Sequence, residues 1–305
     1  MDNLNDISSS ISAAEEIMKI INAVKTISSS RIKKILKDID YNTFYYERIT
    51  AAMKDILAAE GSDSFTHPYF AGHDKTIKSR AFLVFSGDQG LAGAYNNNLL
   101  DFACEAVRKE YNPSVITVGN MAQELYRRQK AASDRHTHRF PLEQTLANAR
   151  RIAAAVRELY NNENADEIYL IYTSFFGKSK NKPVKQLLLP IKRGQKLIVP
   201  EDTACSEILY LPSAKITFDL LIPQYLIAII FDVLVQTCAG EQFARMNVMD
   251  ASAKKTEEVL KKLRLQYNFA KQAAITNEAA ETEAVSLMMN ERHSDYFQTG
   301  ERGHE

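Results

Sequence analysis

The sequence predicts an α/β fold, with a long antiparallel coiled coil of the N- and C-terminal helices plus a Rossmann-like α/β domain. All eight prolines and eight of the eleven glycines lie between residues 61 and 223, and short apolar runs alternate with helical patterns there. Proline inside a helix costs about 3 kcal/mol and glycine about 1 kcal/mol relative to alanine. The two ends of the chain contain no proline and few glycines, so they favour uninterrupted helix. We predict a helix at 1–60, an α/β domain at 61–222, a helix at 223–290 and a polar tail at 291–305, a candidate for disorder.

The N-terminal segment has the apolar spacing of a coiled-coil seam. Its apolar residues recur at steps of three or four over a long stretch, which is typical of one narrow helical stripe. Such a stripe is not stable alone in water, so it needs a partner helix. The stripe consists of Ile7, Ile11, Ala14, Met18, Ile21, Val24, Ile32, Ile35, Ile49 and Ile56.

The C-terminal segment carries a second stripe that can supply the partner. Because the middle domain separates the two segments, they can meet as an antiparallel pair, with the longer segment extending beyond the shorter one. Two ordinary helices of a large bundle are the alternative. The second stripe consists of Leu226, Ile230, Leu234, Met246, Met249, Val259, Leu260, Leu263 and Ala270.

The middle of the chain alternates between strand and helix patterns, which favours a small parallel sheet with flanking helices. The strands are expected to be buried because their apolar character is nearly continuous. Strands are predicted at 81–86, 114–118 and 167–173, helices at 98–111, 122–132 and 142–160, and a hairpin pair at 184–189 and 208–211.

Composition excludes several classes of function. The 38 basic and 38 acidic residues cancel, which gives no global field for nucleic acid and no expected nucleic-acid partner. The apolar run at 225–235 is too short to cross a membrane and contains Asp232, so we expect no transmembrane segment. The three cysteines Cys104, Cys205 and Cys238 have no metal-ligand spacing, and six scattered histidines supply no third ligand, so no metal is expected.

The segment from Gly87 to Gly93 follows a predicted strand and precedes a predicted helix, and it has two interpretations. Its glycines could let the backbone approach a phosphate at a helix N-terminus. The spacing is GxxGxxG rather than GxGxxG, however, and no Gly-Lys-Ser/Thr ending follows. A tight strand-to-helix turn is therefore the favoured interpretation, with a nucleotide site as the alternative.

No grouping of side chains indicates catalysis, so neither catalytic residues nor a cofactor are expected. The polar run near the end of the last helix, taken by itself, is typical of a solvated helix face. It contains Lys271, Gln272, Thr276, Glu278 and Glu281.

Three segments together resemble the gamma subunit family of the F-type ATP synthase. The segment EQFARMNVMDASAKKTEEVLKKLRLQYNFAKQAAITNEAAE at 241–281 is similar to the terminal helix of that family. The turn SGDQGLAGAYNNNL at 86–99 resembles its Ser-Asp-Arg-Gly-Leu-Cys-Gly-Gly turn, and IINAVKTISSSRIKK at 20–34 resembles its opening helix. The resemblance covers most of the chain and implies the same architecture as the residue patterns.

The resemblance implies a role as the central rotor shaft, a non-catalytic subunit. Its partners would be the alpha and beta subunits that form the hexamer, the epsilon subunit and the membrane rotor ring. The implied place is the cytoplasmic face of a bacterial membrane, peripheral to it. A gamma-like shaft of a rotary ATPase that does not synthesise ATP and a nucleotide-binding α/β protein are the alternatives.

The resemblance also implies which residues make contacts. On the motif match, the beta-subunit contacts are Arg245, Gln272, Thr276, Glu278 and Glu281, and the turn at the foot of the shaft is marked by Asp88, Gly90 and Gly93. Lys25 and Lys33 are additional candidates for electrostatic contacts. The chain departs from the family at Gln89, Ala92, Ala94 and Lys271, where Arg, Cys, Gly and Arg are usual, and Lys271 keeps the charge without the planar fork of arginine.

Overall fold

The computed structural model describes residues 2–59, 67–71, 79–110, 113–124, 138–162, 165–175, 181–191 and 213–300. The chain divides into two compact units. We call residues 1–24 and 249–305 the coil unit, and residues 25–248 the body unit.

The elements follow the alternation that the sequence predicts. The helices are α1 (Asp2–Ala59), α2 (Pro68–Ala71), α3 (Tyr95–Arg108), α4 (Leu146–Asn161) and α5 (Ala214–Gly300), with a 3₁₀ turn at Asn120–Ala122. The strands are β1 (Arg80–Phe85), β2 (Ser114–Val118), β3 (Arg139–Phe140), β4 (Glu167–Ser174) and β5 (Lys182–Leu189).

The five strands form one sheet in the order β3-β2-β1-β4-β5. The first four strands are parallel, and β5 is antiparallel to β4 at one edge. Within β1, alternate side chains point to opposite faces: Leu83 and Phe85 pack with helices α1, α4 and α5, whereas Phe82 and Val84 pack with α3. Helices therefore cover both faces of the sheet, which explains why its central strands are almost continuously apolar.

The three predicted parallel strands are confirmed, and the differences elsewhere have local causes. Helix α4 begins at Leu146 rather than 142, because the Thr145 hydroxyl caps it by accepting the Asn148 N–H at 3.2 Å. The helix predicted at 122–132 begins after a 3₁₀ turn at Asn120–Ala122: Gln123 and Glu124 are helical, and 125–132 lies outside the described residues. Strand β5 pairs with β4, and its predicted hairpin partner at 208–211 also lies outside the described residues.

Helix α5 starts earlier and ends later than the sequence predicted. It begins at Ala214, so Pro223 lies inside it rather than at its start. Burial of Phe218, Ile222 and Tyr225, each 2% exposed or less, offsets the cost of the proline because packing outweighs propensity in a core helix. The helix continues to Gly300, so the first ten residues of the predicted polar tail are helical.

In the body unit, α1 and α5 pack side by side in opposite directions. Ile35 contacts Val235 and Ala239, and ten residues further along α1 the Tyr45 hydroxyl donates to Gln224 Oε1 at 2.8 Å. Since higher numbers on α1 meet lower numbers on α5, the pair is antiparallel as predicted.

One helix among the described residues, Lys215–Ser286 of α5, is long and apolar enough by length and composition to cross a membrane. This differs from the expectation that the apolar run at 225–235 is too short to cross a membrane. Its most apolar window is 56% buried within the protein, and Leu226, Ile230 and Leu234 are fully buried in the core. Packing against the sheet therefore accounts for its apolar character.

In the coil unit, the two helices contribute a narrow buried seam. Ala14 and Ile21 of α1 and Met249 and Leu260 of α5 are each at most 9% exposed. An ion pair of 2.7 Å joins Arg264 Nη2 to Glu15 Oε1. Because both partners are largely solvated, this pair fixes register more than it adds stability.

The coil unit also leaves large apolar side chains exposed. Ile17 and Ile20 of α1 are 52% and 63% exposed, and Phe269 and Ile275 of α5 are 69% and 56% exposed. Several exposed apolar groups along one helix pair are typical of a surface that another protein covers.

Burial affects the ionisation of Asp232, a half-buried carboxylate of the body unit. Asp232 Oδ2 accepts a hydrogen bond of 2.6 Å from Gln236 Nε2, and Gln236 Oε1 accepts the Phe175 N–H. Burial raises the pKa of Asp232 above its usual value, and the hydrogen bond from Gln236 opposes that rise only in part.

We expect Asp232→Asn to stabilise the chain at neutral pH and to have little effect at low pH. A raised carboxyl pKa means that stability falls as the pH rises from the unfolded-state pKa through the folded-state pKa. The asparagine removes this penalty and can still accept from Gln236. Thermal unfolding of both chains between pH 3.5 and 8 tests this, and equal or lower stability of the variant at pH 8 would contradict it.

Candidate functional site

The turn between β1 and α3 is fixed by unusual backbone geometry. We call Gly87–Gly93 the foot turn. Leu91 and Gly93 both have positive φ angles, of 63° and 59°. Beside it, Gly119 follows β2 with a φ of 91°, and a Cβ there would lie 2.2 Å from the Ser86 carbonyl oxygen. Only glycine allows the two strand ends to approach this closely.

Side-chain hydrogen bonds fasten the foot turn to the adjacent elements. Asn96 Oδ1, on the first turn of α3, accepts from the Gly87 N–H at 2.9 Å. Asp88 Oδ1 accepts from the Asn120 N–H at 2.8 Å, and the Gly87 carbonyl accepts from the Met121 N–H at 3.0 Å. Asp88 therefore links the two loops that leave β1 and β2.

Helix α5 inserts a carboxylate into the foot turn. Glu241 is 3% exposed, and its Oε1 accepts from the Gln89 N–H at 3.1 Å. A Cβ on Gly87 would lie 2.8 Å from Glu241 Cδ. Gly87 is thus needed for close approach of α5, and the polarised amide of the turn binds a carboxylate from within the chain.

Arg245 pairs with this carboxylate and extends the contact. Its Nη2 donates to Glu241 Oε1 at 2.6 Å, one helical turn away, and also to the Gln89 and Gly90 carbonyls at 3.1 and 2.9 Å. Its Nε donates to the Gly90 carbonyl at 3.1 Å. The residue is 4% exposed, and Nη1 has no hydrogen-bond partner among the described residues. These bonds offset the desolvation that a buried ion pair must overcome.

The first residue of α3 closes the other side of the contact. The Tyr95 hydroxyl donates to the Thr237 carbonyl at 3.1 Å, and a Cβ on Gly240 would lie 3.0 Å from that hydroxyl oxygen. Burial raises the pKa of Tyr95 far above its ordinary value, so it stays a neutral donor at any physiological pH. Residues 237–245 of α5 are thus held between the foot turn and α3.

This arrangement disfavours the nucleotide-site hypothesis. In open α/β sheets, ligands bind beyond the carboxyl ends of the strands where the strand order reverses, here at β1 and β4. The foot turn lies at that edge, and the Glu241 carboxylate already accepts a hydrogen bond from one amide of the turn, that of Gln89. A phosphate would also meet the charge of that carboxylate. The alternative of a tight strand-to-helix turn agrees with the geometry.

Arg245, which the resemblance assigns to a beta-subunit contact, lies at the foot turn in the body unit. Its guanidinium group is buried against its own chain, where Nη2 and Nε donate to the Glu241 carboxylate and two carbonyls and Nη1 has no partner among the described residues. The spacing of Glu241 and Arg245, four residues apart, is a sequence signal for a helical ion pair that could have indicated this. Glu241 and Asn96 were not among the predicted site residues.

The other four predicted contact residues lie exposed on α5 in the coil unit. Gln272 and Thr276 are one turn apart on one side of the helix, and the Thr276 hydroxyl donates to the Gln272 carbonyl at 2.9 Å. Glu278 and Glu281 lie on a different side, since each residue advances about 100° around the axis. Lys25 is half-buried and Lys33 exposed, both in the part of α1 that belongs to the body unit.

A cleft of about 420 Å³ lies beside the foot turn. It contains both acidic and basic side chains, and no group of three or more metal-ligating side chains occurs among the residues that the structure describes. Its lining consists of Arg31, Lys34, Ile35, Asp88, Gln89, Leu142, Glu143, Gln144, Thr145, Cys238, Glu241 and Gln242.

The sequence of the chain matches a known protein family and individual relatives over most of its length. Residues 3–282 match the family described as ATP synthase. The chain is 31% identical over 291 residues to the ATP synthase gamma chain of Acetivibrio thermocellus, covering 92% of this chain and 97% of that protein. It is 33% identical over 287 residues to the ATP synthase gamma chain of Caldanaerobacter subterraneus, covering 90% and 96%.

Solved structures share the fold at low sequence identity. A chain of the Euglena gracilis mitochondrial ATP synthase (OSCP/F1/c-ring) has a TM-score of 0.64 at 12% identity, with 96% of each chain covered. A chain of the Tetrahymena thermophila mitochondrial ATP synthase central stalk has a TM-score of 0.56 at 17% identity, covering 76% of this chain and 99% of that one.

Removing either member of the buried pair should destabilise the protein strongly. We expect Glu241→Ala and Arg245→Ala each to lower the free energy of unfolding by about 3 kcal/mol, because each leaves an uncompensated buried charge. The double variant should lose at least 1 kcal/mol less than the sum of the two. Urea unfolding of the four chains measures this coupling.

The exposed pair Glu257 and Lys261 is a matched control. It has the same spacing of four residues, an N–O distance of 3.4 Å, and side chains 62% and 73% exposed. Its alanine cycle should give a coupling of less than about 0.5 kcal/mol. Equal coupling in the two pairs would mean that burial against the foot turn has no role.

Proposed function

The chain belongs to the ATP synthase gamma chain family, and from this membership and the geometry of α5 we propose that it is the central rotor shaft of an F-type ATP synthase. It is a non-catalytic subunit that couples ion flow through a membrane ring to ATP synthesis or hydrolysis in the alpha/beta hexamer. Its partners are the alpha, beta and epsilon subunits and the ring. The bacterial relatives support a peripheral position on the cytoplasmic face of the membrane.

The observation that carries the proposal is the exposure of α5 in the coil unit. Every residue from 271 to 286 except Ala274 is exposed, so this stretch of α5 is open on all its sides. A long helix with apolar groups exposed on it requires surrounding protein, as a hexamer would provide.

The predicted contact residues suit a helix that is enclosed and turning. Gln272 and Thr276 face one side and Glu278 and Glu281 another, so they meet different neighbours at any one angle. Polar contacts of this kind form and break at modest cost. As the helix turns, each beta subunit makes a different set of contacts, and differential contacts are what shift a conformational equilibrium.

Contacts in the body unit hold α5 in place, as the transmission of torque requires. The Glu241–Arg245 pair, the Gly90 carbonyl and Tyr95 hold α5 against the sheet with buried bonds. A buried, multiply bonded contact does not slip when α5 is loaded sideways. We therefore assign Arg245, with Asp88, Gly90 and Gly93, to fixing the shaft in its foot.

Affinity purification of the tagged chain from native membranes, with mass spectrometry of its partners, tests the proposal. Recovery of alpha, beta, epsilon and ring subunits supports it. A hexamer without a ring would favour the shaft of a rotary ATPase that does not synthesise ATP. Absence of a hexamer would overturn the proposal.

Replacing Thr276 and Glu278 should impair coupled ATP synthesis without impairing folding. In the Thr276→Ala/Glu278→Gln variant we expect the rate of ion-driven synthesis to fall about tenfold, equivalent to about 1.4 kcal/mol in the barrier. Both side chains are exposed, so the unfolding temperature should not change. Synthesis by membrane vesicles that contain the assembled enzyme is the measurement.

The matched control is Thr282→Ala/Glu283→Gln, which makes the same two changes further along the same exposed helix. It should leave synthesis within about twofold of the original, since these positions are not in the predicted contact set. Equal losses in the two variants would contradict the assignment of Thr276 and Glu278.

A further inference from the structure

Helix α4 presents an arginine-rich face that makes no ion pair within the described part of the chain. Its buried side packs on the sheet through Ile152, Val156 and Leu159. Its outer side carries Arg150, Arg151 and Arg157, all exposed. We call these three residues, with the exposed Leu146 and the half-buried Phe140 of β3, the arginine face.

No carboxylate of the described chain pairs with these arginines. Neither Arg150 nor Arg157 is in an ion pair with any described residue, and Arg151 lies over the Phe140 ring with its Cζ 5.8 Å from the ring centroid. Glu158 is the single acid on the exposed side of α4, and it lies seven residues, or about 10 Å along the axis, from Arg151. The face therefore has a local positive charge in a chain whose net charge is zero.

No charge interaction within α4 accounts for these arginines. Arg150 and Arg151 are the fifth and sixth of sixteen residues, in the N-terminal half of α4, and no acidic residue precedes them in the first turn. The helix dipole acts mainly on the first and last turns, so it does not favour a cation at these positions. Neither arginine has a carboxylate four residues before or after it.

We propose that the arginine face binds an acidic surface of a neighbouring protein subunit; this rests on the proposed function, which places the chain in a multisubunit complex. Arginine, an aromatic ring and an exposed leucine together are the composition of a protein interface. Arg150 and Arg157 lie two turns apart on one stripe, so they match two carboxylates about 10 Å apart, each bound bidentately.

A membrane surface fits the same residues less well. Binding to anionic lipids generally uses clusters of about four to eight basic residues, and each adds to a diffuse attraction. The arginine face has three, with Glu158 beside them. The stacking of Arg151 on Phe140 also fixes one guanidinium, which favours a partner with carboxylates at defined positions.

Arginine modification in the assembled enzyme tests the proposal. The isolated full chain and the purified complex are treated with phenylglyoxal, and modified arginines are quantified by mass spectrometry. We expect Arg150 and Arg157 to react at least about tenfold more slowly in the complex. Equal reactivity in both overturns the inference while leaving the proposed function intact. Failure to recover any complex overturns the proposed function.

A crosslink identifies the occupant. In the Arg157→Lys variant the positive charge is kept and an amine is introduced, so a zero-length carbodiimide joins it to a carboxylate in contact. A crosslink to an Asp or Glu of another subunit supports the proposal. The opposite outcome is that no such crosslink forms and that the arginines lose their protection from phenylglyoxal when lipid is stripped from the complex. That outcome would indicate a membrane surface and overturn the proposal.

Charge reversal adds a measurement with a matched control. Arg150→Glu/Arg157→Glu should weaken incorporation of the chain into the complex by about tenfold or more, because like charges would then face each other. Arg108→Glu/Lys109→Glu, which reverses two exposed charges at the end of α3, should leave incorporation unchanged. Equal loss in both variants would show a general charge effect and overturn the inference. If the first variant does not fold, the modification and crosslinking results decide.

Discussion

The buried contact between Glu241, Arg245 and the foot turn is the constraint on which the rest of the body unit depends. Glycines at 87 and 240 accommodate it, since a Cβ there would lie 2.8 Å from Glu241 Cδ and 3.0 Å from the Tyr95 hydroxyl oxygen. It also explains why Leu91 and Gly93 hold positive φ angles, since the turn must direct carbonyls toward a guanidinium and an amide toward a carboxylate. The edge at which similar sheets bind ligands is thereby used for holding a helix.

The same helix has opposite surroundings in the two units. In the body unit α5 is apolar enough to resemble a membrane span, and the sheet covers it. In the coil unit its polar and apolar groups are exposed, with Ala14, Ile21, Met249 and Leu260 forming only a narrow seam. Tight packing suits a part that must not slip, whereas weak and varied contacts suit a surface that meets several neighbours in turn.

The sequence contained most of the architecture but little of the site. The distribution of proline and glycine predicted both terminal helices, and apolar runs rich in Val, Ile, Tyr and Phe predicted β1, β2 and β4, because these signals are local. Helix α5 starts before Pro223 although proline disfavours a helix interior, because the burial of Phe218 and Tyr225 outweighs that local preference. Sequence patterns show the local preference but not the burial. The role of Glu241 was missed because it depends on a turn about 150 residues away.

At the ligand edge of this sheet, a carboxylate from the chain's own helix binds one amide of the foot turn. A related fold in which that amide is available can bind a nucleotide there and respond to its concentration, whereas here Glu241 accepts from the Gln89 N–H. Under the proposed role, information about ATP and ADP can enter this edge of the chain only as force or angle from the subunits around it. The glycines and the ion pair that hold α5 would then also keep nucleotide binding at this edge from altering the mechanical coupling.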